Sequence, residues 1–330
     1  MFKYTNLVIR SIYASVPKSK IDILSSFSNQ FGHDKVSKFI NNVGIKELRV
    51  SSKETTSSDF AFVSAKNMMD DLKIDRSEIG FLILVTQTPD YLLPSTSFVI
   101  HKKLNLPNSC IVFDINLGCS GYVHSLNTLF ALMNNSNFKY GIVLTGDTIT
   151  KIVNPQDSST AMLFGDAGTA TLIEKNDSKI QSFFTMETIS DKYNHIIVEN
   201  GLFRNPGNMF LHMNGIEVFN FGINEVSLSL KNHITKFSDQ YPKFDFFVPH
   251  QANLYMLKQL KKTIGDDIEM LTSLELFGNT SVSSIPLTIA YNQKQSFNNK
   301  KILMSGFGVG FSIASASLEF DTFTTKVIEV

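Results

Sequence analysis

One of the chain's two cysteines stands in a setting that suits a nucleophile. Residues 113–122 read FDINLGCSGY, which puts Cys119 on a glycine-bracketed corner between an apolar run and a helix-periodic one. Free N–H groups and the positive end of the dipole at a helix start stabilise a thiolate, so the position predicts a depressed thiol pKa. Gly118 and Gly121 allow the tight strand-to-helix turn that thrusts a side chain out of the backbone. A lone cysteine also serves as a small buried hydrophobe or as half of a disulfide. Cys110, inside the apolar run CIVFDI, fits the buried use. A nucleophilic thiol needs polar partners. Of seven histidines, His250 in FDFFVPHQAN follows a strand-like run and Pro249, at the kind of strand end where α/β sheets gather ligands. Asn279 follows Gly278 in LELFGNTSVSSIP, a small polar turn before another helix-like run, where an Asn can equally be a plain turn residue.

These positions need strands and helices to carry them. Apolar, partly β-branched runs predict strands at 80–86, 110–115, 140–144 and 169–174. Val123, Leu126, Phe130 and Met133 recur at helical spacing after Cys119, until NNSN stops the run. Strands alternating with helices indicate an α/β fold with buried sheets. The pattern then restarts after EKNDSK at 174–179, with strands predicted at 180–186, 244–249, 270–274 and 301–305. FGVGFSIASASLEF at 307–320 echoes FGDAGTATLIEK at 164–175, each a glycine-rich turn feeding a strand. Two similar halves are therefore expected: 1–178 with the cysteine, and 179–330 with the histidine and the asparagine.

Composition narrows the function classes. At 330 residues the chain exceeds one ordinary core, and 43% hydrophobic against 18% charged residues marks a globular chain. Thirty basic and thirty acidic residues cancel, with no Lys/Arg-rich block, which argues against nucleic acid and anionic membrane as partners. Lys3 and Arg10 interrupt the opening MFKYTNLVIRSIYASVP, unlike a secretory signal, and runs such as FLILV at 81–85 are far too short to span a bilayer. Two cysteines make no disulfide framework, and no Cys/His spacing reads as a zinc site. A cytoplasmic location is the expectation.

At the three chemical positions the sequence resembles the β-ketoacyl-acyl-carrier-protein synthase III family of the thiolase superfamily. TPDYLLPSTSFVIHKKLNL (88–106), DINLGCSGY, TAMLFGDAGTATL (160–172), LHMNGIEVF (211–219), VPHQAN (248–253), FGNTSVSSIP (277–286) and GFGVGFS (306–312) follow in the family's order and spacing. The resemblance implies a thiolase-like duplicated α-β-α-β-α sandwich, usually a homodimer, with a Cys–His–Asn triad at Cys119, His250 and Asn279. It implies an oxyanion hole from the backbone N–H groups of Cys119 and Val309. Met213, Gly215, Phe219, Ala252 and Asn253 would hold the pantetheine arm. The implied chemistry is decarboxylative condensation of an acyl thioester with a malonyl thioester through an acyl-cysteine, with an acyl carrier protein as partner and no metal or redox cofactor. Acyl transfer to an oxygen, nitrogen or sulfur acceptor without condensation is the alternative, and a non-catalytic subunit of a heterodimer is another.

The mouth of the implied site departs from the family. Lys38 stands at the position of a family Trp, and Asn42, Ser158 and Tyr255 stand at positions of family Arg residues that contact coenzyme A or the carrier protein. A stacking face and bidentate cationic contacts are thereby lost. Lys258, Lys261 and Lys262, just after Tyr255, are either a solvated helix face or a landing site for an acidic carrier protein. Val309 replaces the glycine usual in the family.

Overall fold

A computed structural model describes residues 1–330 and contains two six-stranded sheets. The first runs, edge to edge, Thr324–Glu329, Leu7–Val16, Ala167–Lys175, Tyr140–Asp147, Ile79–Val85 and Ile111–Ile115. The second runs Phe2–Thr5, Gln181–Thr188, Ser312–Phe320, Lys300–Gly308, Phe246–Pro249 and Glu269–Met270. From the second strand onward, both sheets repeat one pairing pattern: antiparallel, antiparallel, parallel, parallel. The two segments that echo each other in sequence fall on corresponding strands, Ala167–Lys175 and Ser312–Phe320. The outermost strands are exchanged. Phe2–Thr5 edges the second sheet, and Thr324–Glu329 edges the first.

Helices Gly121–Asn134 and Ser284–Tyr291 lie between the sheets and share the largest apolar cluster with both. Period-two alternation sorts the sheet residues: Ile83 and Val85 face this central layer, whereas Leu82 and Leu84 face outward. Helices Ser57–Asp71 and Thr96–Leu104 cover the outward face of the first sheet. Helices Ser227–Lys236 and Leu254–Ile264 cover that of the second. The result is the expected layering, α-β-α-β-α. No helix is long and apolar enough to cross a membrane.

Two of the differences from the sequence expectation bear on the sheets. The predicted strand at 270–274 shrinks to Glu269–Met270, because the Gln251 side chain takes the Ser273 N–H and the chain turns into helix Leu274–Phe277. Leu7–Val16, unassigned from sequence, is a ten-residue strand inside the first sheet. It is buried on both faces, so it shows no alternation to read.

Candidate active site

Cys119 lies on the loop between strand Ile111–Ile115 and helix Gly121–Asn134, closed by a Gly121 N–H to Gly118 carbonyl bond of 2.7 Å. Close approach is what demands glycine here. A Cβ on Gly118 would stand 2.5 Å from Gln87 Oε1, and one on Gly121 would stand 2.7 Å from Val85 Cγ1. The strand Lys300–Gly308 comes equally close, since a Cβ on Gly308 would lie 2.9 Å from Cys119 Cβ and 3.1 Å from its Sγ.

His250 stands at the carboxyl end of strand Phe246–Pro249, and its N–H continues the ladder to the Ser305 carbonyl at 2.8 Å. Its Nδ1 pairs with Ser284 Oγ at 2.7 Å, while Ser284 Oγ accepts from the Gln251 N–H. The Ser284 hydroxyl has no other acceptor in reach, so it is assigned as the donor to Nδ1, with the imidazole proton on Nε2. Burial pushes the His250 pKa down to about 3, so the ring is neutral and acts as a donor through Nε2. Asn279 is pinned by its backbone to residues 163–165, with N–H to Leu163 carbonyl 2.9 Å and Gly165 N–H to its own carbonyl 3.1 Å. Its Oδ1 accepts from the Ser281 N–H at 2.9 Å, leaving the amide NH₂ as its donor end.

These three side chains meet in one cleft with a cavity of about 170 Å³, walled mostly by apolar side chains. Val309, Met213, Gly215, Phe219, Ala252 and Asn253 also line it. Asn253 spends its Oδ1 on capping helix Leu254–Ile264 through the Met256 N–H, 2.9 Å away. No other group of the protein takes the backbone N–H of Cys119 or of Val309. The Val309 carbonyl accepts from Ser312 Oγ at 3.0 Å, and Ser312 pairs with Ser120 at 2.6 Å, which ties this turn to the cysteine corner.

The thiol itself corrects the sequence expectation. Its pKa is pushed up to about 12, first by burial and then by the Asp147 carboxylate; the Ser281 hydroxyl and the residue's own N–H oppose the rise. A helix start alone does not make a thiolate in so dry a place. Burial likewise pushes the Cys110 thiol up to about 12, within the outer cluster of the first sheet. Ser281, Ser284 and Asp147 were not singled out from sequence; an acid closing an apolar strand was the one available signal.

The lysines lie outside the cleft on helix Leu254–Ile264. Lys258 and Lys262 are exposed. Lys261 instead turns its ammonium onto the carbonyls of Gly265, Asp266 and Ile268 beyond the helix end. Tyr255 is exposed and packs on Phe219 at the cleft with ring centroids 5.1 Å apart. Lys38 and Asn42 are exposed on helix His33–Val43, whose end abuts the start of Leu254–Ile264: a Cβ on Gly44 would lie 2.6 Å from Leu254 Cβ. Ser158 is half-buried in the turn after Asn154.

Comparison with known proteins places this arrangement. Residues 113–192 match the family model for 3-oxoacyl-[acyl-carrier-protein (ACP)] synthase III, and residues 241–320 match that for its C-terminal domain. The beta-ketoacyl-[acyl-carrier-protein] synthase III of Campylobacter fetus is 31% identical over 94% of this chain and 98% of its own length. The chain belongs to the 3-oxoacyl-[acyl-carrier-protein] synthase III family. The Streptococcus mutans synthase III is also 31% identical, over 83% of this chain and 88% of its own. A crystal structure of 3-oxoacyl-(acyl-carrier protein) synthase from Burkholderia xenovorans superposes with a TM-score of 0.94 at 32% identity, covering 100% of this chain and 98% of that one. The fold is thus that of the synthase III family, thiolase-like and layered as described.

Proposed function

We propose that this chain is a type III 3-oxoacyl-acyl-carrier-protein synthase that condenses an acyl thioester with a malonyl thioester through an acyl group on Cys119. The observation that carries the reading is the meeting of Cys119 with two neutral donors, His250 Nε2 and the Asn279 amide, in one apolar cleft. Cys119 attacks the thioester carbonyl, and the N–H groups of Cys119 and Val309 hold the oxyanion until the pantetheine thiol leaves. Malonyl thioester then loses carbon dioxide. His250 and Asn279 donate to the thioester oxygen of the resulting enolate, whose carbon attacks the acyl-cysteine and frees Cys119. Met213, Gly215, Phe219, Ala252 and Asn253 guide the pantetheine arm. An acyl carrier protein is the partner, docking over Lys258 and Lys262, and the enzyme works as a cytoplasmic homodimer. The apolar side chains of Tyr91, Leu92 and Leu93, exposed in sequence, support a surface that a second copy covers. The halves 1–178 and 179–330 are copies of one duplicated unit, a reading supported by their repeated strand pairing.

The test separates the two half-reactions. His250→Ala and Asn279→Ala should each lose about 2.7–4 kcal/mol of transition-state stabilisation in condensation, about 10²–10³ in rate, while Cys119 still acylates. Normal condensation by Asn279→Ala would favour an acyltransferase that uses another acceptor. A silent subunit would never gain an acyl mass.

A further inference from the structure

A second cavity lies beside the cleft, and its chemistry differs. Its volume is about 590 Å³, and five of its sixteen lining residues are hydrophobic, against fourteen of twenty-one in the cleft. Gln87 borders both spaces. The turn at 148–152 also divides them, with Ile149 lining the cleft and Thr148 and Ile152 lining the second cavity. Leu211 and Met209 divide them in the same way. The two cavities therefore share a wall, and Gln87 is its polar member.

Gln87 is fixed in place but its side chain is chemically unspent. Its N–H goes to Asp147 Oδ1 at 2.8 Å, and the hydroxyls of Thr86 and Thr88 hold the same oxygen at 3.1 and 3.2 Å. Its side-chain oxygen packs on Gly118, one residue from the nucleophile, where a Cβ would stand 2.5 Å away. Neither end of that amide bonds to the protein or is sealed from the open space. Thr148, whose N–H bonds Thr88 Oγ1 at 2.9 Å, is 3% exposed, and its hydroxyl has no partner either. The charged groups of the second cavity are committed. Asp114 accepts from the Thr96 and Ser97 N–H groups at 2.6 and 2.9 Å, and Asp90 accepts from the Ser58 N–H at 3.4 Å. Lys151 gives its ammonium to the carbonyls of Lys53 and Thr55.

We propose that the acyl donor carries a neutral hydroxyl a few carbons from its thioester, bound by Gln87 and Thr148 where the cleft meets the second cavity, an inference that rests on the function proposed above for the same cleft. An alkyl chain laid over Gln87 would strip water from the amide and give no hydrogen bond back. A hydroxyl donates to Oε1 or accepts from Nε2 and removes that cost. A pocket with such a group discriminates strongly between a hydroxylated substrate and its deoxy analogue. An anionic tail is disfavoured, because Asp90 and Asp114 border the cavity while its one lysine is turned onto carbonyls. Tyr91 and Leu92, both exposed, rim the outer side on the face proposed above to meet a second copy. In the homodimer the tail therefore enters from Cys119.

Butyryl and 3-hydroxybutyryl, each loaded on the same acyl carrier protein, are compared by the rate at which Cys119 gains the acyl mass. In the unmodified protein the hydroxylated donor should react about tenfold faster, and succinyl slower than either. Gln87→Leu keeps the bulk of the side chain and the backbone N–H that Asp147 holds. It should speed butyryl and slow 3-hydroxybutyryl, so that the preference inverts. Thr148→Val should shrink the preference severalfold. A butyryl rate equal to or above that of 3-hydroxybutyryl in the unmodified protein overturns the proposal, as does a preference that survives Gln87→Leu or a succinyl rate above both. Should Gln87→Leu fail to fold, Thr148→Val decides, and an unchanged preference there overturns it. The expected preference in a protein that never condenses malonyl thioester upholds the inference and refutes the function proposed above. If no donor acylates Cys119, that function falls, and shielding of the thiol from iodoacetamide decides instead. Half-protection should need about tenfold less 3-hydroxybutyryl-carrier protein than butyryl-carrier protein, and equal protection overturns the inference.

Discussion

Each donor of the candidate site gives one end of its side chain to the protein and keeps the other for the cleft. Ser284 satisfies His250 Nδ1, and Ser281 satisfies Asn279 Oδ1. The two cysteines divide more sharply. Both thiols are raised by burial, yet only Cys119 opens on a cleft, while Cys110 packs among Leu82, Ile100 and Leu104. Cys119→Ala should therefore abolish acylation seen by intact-protein mass spectrometry, and Cys110→Ala should leave it intact at a stability cost of about 1 kcal/mol. Acylation that survives in the first variant removes Cys119 from its role. The positions of Cys119, His250 and Asn279 were legible because each sits at a strand end or turn in a distinctive short segment. The thiol's protonation was not, because a helix start is visible in sequence and burial is not. Ser281 was hidden in a serine-rich run, with nothing local to separate it from Ser283 or Ser284.

At the scale of the element, helix Leu254–Ile264 joins cleft to surface. Its inner side packs Met256 and Leu260 into the outer core, its first turn starts at the Asn253 cap, and its outer side carries the lysines. Sequence spacing presents Lys258, Lys261 and Lys262 as one basic stretch. The fold splits them, because carbonyls beyond the helix end capture Lys261 as helix C-termini capture cations generally. We expect Lys258→Glu with Lys262→Glu to weaken turnover with carrier-protein-bound acyl donors and spare coenzyme A donors, with the unmodified protein's carrier preference shrinking as salt rises. Equal turnover with acyl-coenzyme A at low salt would remove the docking face. The lost strand at 270–274 has a related cause. A side chain from a distant turn, Gln251, ends the ladder, and such a contact leaves no local trace in the sequence.

At the scale of the molecule, two buried histidines link stability to pH. His233 pairs with Thr185 Oγ1 at 2.8 Å and Ser317 Oγ at 2.9 Å, and burial lowers its pKa to about 4; His250 is lowered to about 3. The unfolded chain binds protons on both as the pH falls through about 6.5, and the folded chain does not. Their contribution is therefore complete above about pH 6.5 and is lost progressively below it, at about 1.4 kcal/mol per histidine per pH unit. In denaturant titrations at pH 7 and 5, His233→Gln should show a drop smaller by roughly 2 kcal/mol than the unmodified protein. An equal drop would mean that His233 is not held neutral. The layered sandwich itself was legible in the restart of the strand pattern, but the exchange of outer strands was not, since pairing between residues so far apart in sequence has no local signature. That exchange bears on how the protein is made. While the chain emerges from the ribosome, strand Leu7–Val16 has an unpaired edge until Thr324–Glu329 arrives to pair in parallel with it. A nascent chain of this kind offers a sticky strand to its neighbours for most of its synthesis. Fragments 1–178 and 179–330 should accordingly aggregate when produced alone and recover a soluble complex when produced together, each supplying the other's missing border; soluble, separately folded fragments would show that the borrowed strands are dispensable.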